Sequence, residues 1–353
     1  MTATSEAPPG SVDARSVRSL RTSLQSFRSG ARNVLKVLRA NPLTLVGFIL
    51  VVFLCLAAVL IVVVPAVTGA FGRPVYLTPY GPNELLPCPI VGGQSVCEQP
   101  PSSTHWLGTD RSGRDMFSRV VAALPLDLAI GFLVAGFSLL VGGGLGLVAG
   151  FWDRPKTIGG ALSLTIMRVT DVFLAFPSLV LALAIAATLG RGTVPSILAI
   201  LLTWWPYYVR LTRGEVLAVK HQPYIDAARA AGVSETRILS RHVVRNILEP
   251  LVVYFTMDVG TVLVVFSTIA FIGIGVPADV PEWGTMIQAY GDFLILYPWM
   301  VVFPGLAIFV TVLAFSLLGD GLRDILDPRS RRALTQAQVP TTMPVGVPTS
   351  AEA

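Results

Sequence analysis

The sequence predicts an all-α integral membrane protein with six transmembrane helices and cytoplasmic N- and C-termini. Three observations carry this. Hydrophobic residues make up 53% of the 353-residue chain and charged residues 13%, with a mean hydropathy of +0.69, far from soluble usage. Apolar runs able to cross roughly 30 Å of hydrocarbon recur near residues 43–64, 128–151, 169–189, 194–217, 248–274 and 299–318. Lys and Arg gather at alternate ends of those runs, as cytoplasmic flanks do. Helices follow because lipid leaves every backbone polar group to be satisfied internally, and the runs are too long and too uniform for barrel strands.

The elements follow in order. Residues 1–41 form a basic arm, with Arg15, Arg18, Arg21, Arg28, Arg32, Lys36 and Arg39 against Glu6 and Asp13, so this end stays inside. Its first residues are small, polar and proline-containing and are expected to be disordered; residues 16–39 read equally as a surface-lying amphipathic helix or a flexible arm. The first span, 42–66, lies too far along the chain and is too long for a cleavable signal, and it reads as an anchor. Residues 67–123 form a long extracytoplasmic segment rich in Pro and Gly. It holds Cys88 and Cys97, which that compartment permits to pair, two free thiols being the alternative. Cys55 reads as a packing residue.

Residues 124–327 form the transmembrane core. Gly142, Gly146 and Gly150 make a face that lets another helix approach closely. Pro177, Pro206 and Pro304 free carbonyls inside spans, and Trp204, Trp205, Tyr207 and Tyr208 read as an aromatic belt. A carboxylate at mid-membrane costs about 2.5–3.5 kcal/mol, so the acids there need partners. Asp171 has Arg168 one turn back, and Asp127 lies near enough to the outer interface to be hydrated. Asp258 has no partner in its own helix; it either lines a pathway or hydrogen-bonds a neighbouring helix. Arg323, Arg329, Arg331 and Arg332 place the C-terminus inside, and residues 328–353 read as a disordered tail.

A charged, alanine-rich stretch at 224–246 interrupts the apolar pattern. Pro223 suits a first helical position, Gly232 a left-handed helix end, and Ser234 the cap of a second helix. On that second helix Arg237, Arg241 and Arg245 recur every fourth residue, opposite Ile238, Leu239 and Val243. Such a hairpin would lie on lipid headgroups or dock a partner.

The hairpin resembles the EAA loop of ATP-binding-cassette (ABC) importer permeases. Asp226, Ala227 and Ala228 stand at the Glu-Ala-Ala triplet and Gly232 at the glycine that follows a three-residue gap; Arg245 departs from the usual proline. The resemblance implies a coupling role toward an ATPase for Tyr224, Asp226, Ala227, Ala228 and Gly232, within the loop 220–246. HWLGTDRSGRDMFSRVV at 105–121 is similar to the HxLGTDxxGRDxxSR signature of the dipeptide, oligopeptide and nickel branch. There Arg114 and Asp115, with Asp258 in its span, are candidates for pathway or gating, docking of a binding protein being the other reading of the signature. Blocks beginning at Met167 and Ala270 and ending at Arg329 extend the likeness, with Phe266 where relatives often carry Glu.

The resemblance implies a type I ABC importer permease-like fold in the cytoplasmic membrane. It implies a non-catalytic subunit for peptide transport, working with a homologous second permease, two ATPase subunits and an extracytoplasmic solute-binding protein. No GxxxxGK[ST] loop is present, so no cofactor is expected in this chain, and ATP and Mg would belong to the partner subunits. With three His and no clustered ligand pattern, no metal site is expected. The net charge of +5 and pI near 9.3 express the inside bias rather than nucleic-acid binding. A self-sufficient secondary transporter or intramembrane enzyme is the alternative, weakened by the lack of an inverted repeat or a nucleophile-base pair in a span.

Overall fold

The computed structural model describes residues 41–70, 74–154 and 156–326; the basic arm and the C-terminal tail lie outside them. The regular elements of the described residues are helices, one small β-hairpin, Ile90–Val91 (β1) with Gln94–Ser95 (β2) paired antiparallel, and an isolated bridge between Thr109 and Asp115. Helix α1 is Pro42–Ala70 and α2 is Met116–Phe151. Helix α2 starts well before the predicted second span because Asp115 caps it, its carboxylate accepting from Ser118 N.

The predicted third span is instead two helices, α3 (Ile158–Leu174) and α4 (Ser178–Leu189), bent by 83°. Pro177 stands at the N-cap of α4, where it supplies no N–H to continue α3. Helix α5 is Thr193–Lys220, followed by the short α6 (Pro223–Ala230) and α7 (Glu235–Ile238). A π turn, Leu239–Val243, joins α7 to α8 (Val244–Phe271). Helix α9 (Trp283–Tyr290) precedes α10 (Trp299–Leu326).

By length and composition α1, α2, the continuous helical stretch Glu235–Phe271 and α10 are long and apolar enough to span a bilayer, and the bent α3–α4 pair makes a fifth crossing if counted as one. Helix α5 has the length, 28 residues or about 42 Å, but its Trp-Trp-Pro-Tyr-Tyr run and Arg210, Arg213 and Glu215 make it less apolar.

Residues Val46–Asp320 form one compact unit, and the described chain ends, 41–45 and 321–326, belong to another. In the latter, Asn41 Nδ2 donates to Asp324 Oδ2 at 3.4 Å. In the larger unit α2 packs along α5 through the predicted glycine face. A Cβ on Gly146 would lie 2.6 Å from Val209 O, and one on Gly150 would lie 2.7 Å from Val216 Cβ, so these backbones are in direct contact. Gly131 brings α8 against α2 in the same way, a Cβ there meeting Val259 O at 3.0 Å. The core of these helices includes Val134, Ile200, Leu263, Phe266 and Phe315, while much of α1 stays exposed for lipid.

Candidate functional site

The polar hairpin folds as helix, turn, helix. Pro223 takes the first position of α6 after Gln222. Gly232 ends the helix with φ +76°, its N–H donating to Arg229 O at 2.9 Å while Val233 N donates to Ala228 O at 3.1 Å. These are the two bonds of a Schellman motif, and Ala228 and Val233 pack on one apolar cluster, as that motif favours.

The predicted Ser234 side-chain cap does not form; its carbonyl accepts from Arg237 N and Ile238 N instead. The π turn, with Val244 N donating to Leu239 O, widens the helix where the sequence predicts a regular arginine row. Arg237, Arg241 and Arg245 are all exposed, but Arg245 follows the register shift and does not continue a straight stripe.

The hairpin has two faces. Ile225, Ile238 and Val243 are fully buried against Phe151 of α2, Val216 of α5, and Ile247 and Leu251 of α8. Tyr224, Asp226, Ala227 and Gly232 are exposed and Ala228 is half-buried, so this ridge of the hairpin faces outward. Polar contacts the sequence did not reveal brace this arrangement. Glu235 accepts from Arg154 Nη2 at 2.9 Å and Arg229 Nε at 3.3 Å, and Arg229 also holds Asp226 at 3.1 Å. Buried Lys220 reaches Gly150 O at 3.3 Å and Asp153 O at 3.5 Å, covering the carbonyl end of α2.

At the other end of α2 the GTDRSGRD segment is an internal knot rather than an open charged loop. Asp110 is fully buried and accepts from Ser112 N, Arg114 N, Arg114 Nε (2.6 Å) and Tyr290 OH (2.7 Å). Burial and the neighbouring Asp110 push the Tyr290 phenol up to about 12. Asp115 accepts from the Ser118 backbone and hydroxyl and meets His105 Nδ1 at 3.1 Å. Arg119, buried, donates to Asn83 Oδ1 at 2.8 Å, Pro82 O and Ala278 O. The two candidate gating residues, Arg114 and Asp115, are therefore engaged within the fold, while Arg111 and Ser112 are exposed, Arg111 lying over the Phe293 ring at 4.2 Å and pairing with Glu98 at 3.5 Å. Cys88 and Cys97 form a disulfide, with Cα atoms 4.5 Å apart, next to Gly113.

The membrane acids are placed differently from expectation in two cases. Asp171 pairs with Arg210 of α5 at 2.8 Å rather than with Arg168, because the bent third span brings α3 beside α5. Asp127 is not hydrated: it is 1% exposed and accepts from Trp283 N at 3.4 Å. Asp258 takes the interhelical option, accepting from Trp204 Nε1 and from Tyr208 OH of α5. Trp204 and Tyr208 are thus core residues, not belt residues. Sequence reading missed Glu282, which caps α9 through Gly284 N and Thr285 N and accepts from Ser267 Oγ; burial pushes its carboxyl up against those donors. Its position immediately before an amphipathic run was the available signal.

A multi-pass helical membrane protein with an exposed polar hairpin is the class these features define. The profile of the binding-protein-dependent transport system inner membrane component family matches residues 142–332. The dipeptide transport system permease protein of Alkalihalophilus pseudofirmus is 36% identical over 300 residues, 85% of this chain and 90% of the relative. The glutathione transport system permease protein of Pectobacterium atrosepticum is 40% identical over 229 residues, 65% of this chain and 74% of the relative. A solved inward-facing methionine ABC transporter aligns at 20% identity over 60% of this chain and 98% of that chain, with a TM-score of 0.49. The chain belongs to the binding-protein-dependent transport system inner membrane component family. It is a transport permease, a non-catalytic membrane component.

Proposed function

We propose that this chain is one half of the translocation pathway of an ATP-driven importer for small peptides. It sits in the cytoplasmic membrane with six spans, α5 and the α3–α4 pair each counting as one, and with both termini inside. The hairpin is the observation that carries the reading: an exposed ridge of Tyr224, Asp226, Ala227 and Gly232 faces outward over a fully buried apolar anchor. Small side chains let a partner groove approach the backbone, and Asp226 offers a charge to a basic group there. A homologous second permease completes the pathway, two ATPase subunits bind ATP and Mg, and a solute-binding protein docks outside, on the surface that the Asp110–Arg114–Tyr290 knot shapes. The relatives named for dipeptide and glutathione transport support the peptide class.

Reconstitution of the assembled complex in liposomes tests this. ATP-dependent uptake of a dipeptide or tripeptide is expected only with all partners present. Asp226→Lys should leave insertion intact and reduce ATPase co-purification and uptake together. A purified chain that transports peptide alone would refute the reading.

A further inference from the structure

Asp258 lies fourteen residues into α8 (258 − 244), about 21 Å along its axis and close to mid-span. Its carboxylate, in a residue 4% exposed, accepts from Trp204 Nε1 at 3.2 and 3.0 Å and from Tyr208 OH at 2.9 Å. Both donors are neutral, and no Lys, Arg or His among the described residues forms an ion pair with it. An acid held at this depth without a cation is costly, and intramembrane acids of this kind mark ligand or ion pathways.

The surroundings are as telling as the charge. Tyr254, one turn before Asp258, packs edge-on against Tyr208 at 5.1 Å, and Tyr207 lies 5.5 Å from Trp204. One carboxylate on α8 thus sits among aromatic rings from α5 and α8. A primary ammonium has three donors and no acceptor, and it is attracted both to carboxylates and to ring faces. The α-ammonium is the feature peptides share whatever their side chains, so a site built for it would pass a class rather than one compound.

We infer that Asp258 and its aromatic surround receive the α-ammonium of a peptide in transit, the ammonium replacing the Trp204 and Tyr208 donors when α5 and α8 part. Closed, those two donors hold the acid and the helices together; open, the same acid and rings offer a cation site. This rests on the peptide-permease reading above.

The test uses the complete complex in liposomes, with a tripeptide that the wild-type complex imports. Asp258→Asn keeps the shape and an acceptor for Trp204 while removing the charge. It is expected to retain thermal stability, ATPase binding and binding-protein-stimulated ATP hydrolysis within twofold, while maximal uptake at saturating liganded binding protein falls at least tenfold. Asp258→Glu is expected to recover part of that uptake. Uptake within twofold of wild type in Asp258→Asn overturns the inference, as would be expected if the acid carried only a proton. A parallel loss of stability, hydrolysis and uptake that Asp258→Glu does not relieve also overturns it, since it marks a purely structural bond.

Should Asp258→Asn not fold, the wild-type complex decides. At equal loading of the binding protein, an N-acetylated form of the same tripeptide, which has no α-ammonium, is expected to be taken up at least tenfold more slowly than the free tripeptide. Uptake within twofold of the free tripeptide overturns the site. Failure of the wild-type complex to assemble or to import any peptide would instead overturn the permease reading, and this inference with it.

Discussion

Replacement of Gly232 isolates the hairpin turn from everything else in the molecule. Its φ of +76° is left-handed, and an added Cβ would meet nothing within 4 Å, so substitution adds backbone strain without a clash. A non-glycine residue there costs about 1–2 kcal/mol. Charged to the turn alone, that raises the opened population of the helix end about 5–30-fold. The bonds that open are Gly232 N to Arg229 O and Val233 N to Ala228 O. Hydrogen exchange read by mass spectrometry over residues 224–233 reports them directly. Gly232→Ala should speed exchange there by that factor and leave α2 unchanged, and Gly232→Asn, which tolerates the left-handed region better, should fall between. Equal exchange in wild type and Gly232→Ala would refute the reasoning, as would an Asn variant as labile as the Ala one. Gly232→Val, β-branched, should show the largest effect and carry it into reduced uptake by the complex.

Three further outcomes are expected. Gly146→Leu should cost about 1–3 kcal/mol by forcing α2 from α5, lowering the thermal midpoint, whereas Gly144→Leu, with open space at its Cβ, should not. Asp110→Asn should destabilise by about 3 kcal/mol in denaturant unfolding, because Arg114, whose side chain is 17% exposed, loses its charged partner. Tyr290, held near 12 against an ordinary value of about 10, stabilises the fold fully below pH 10 and loses that contribution as pH rises through 12; stability measured from pH 9 to 12 should fall in that window, and Tyr290→Phe should flatten the fall.

Where one short stretch of sequence decides the outcome, it was readable. The glycine face, Pro223 and Gly232 all act through local geometry or nearest-helix contact, and each appears where its chemistry predicts, whereas of the apolar runs the third breaks at Pro177 and the fourth, α5, is less apolar than the others. The errors share a cause, which is partner choice between distant segments. Arg168 is close to Asp171 in sequence, but the bend at Pro177 delivers Arg210 instead. Asp127 looked hydrated because its depth was judged along one helix, while Trp283 comes from 156 residues away to cover it. Glu235, next to the N-cap Ser234, likewise takes its partner from outside the hairpin, Arg154. The GRD signature showed which residues mattered but not that they face inward, because Tyr290, which closes the Asp110–Arg114 pair, lies 180 residues from Asp110.

Helix α2 explains why the two motif-bearing regions are found on one chain segment's ends. Its first turn is fixed by Asp115, which also holds His105, and its last carbonyls are covered by Lys220, the final residue of α5 before the hairpin. Between them run 36 residues, about 54 Å of helix, packed directly on α5 where Gly146 faces Val209 O and Gly150 faces the Val216 side chain. A close-packed pair of this kind bends little, since any separation exposes glycine backbone and breaks contacts along its whole length. Phe151 then ties the same end into the apolar anchor with Ile225 and Ile238. The hairpin's buried face and its entry residue both grip α2, so a displacement of the hairpin loads the helix whose opposite end carries the Asp110–Arg114–Tyr290 knot.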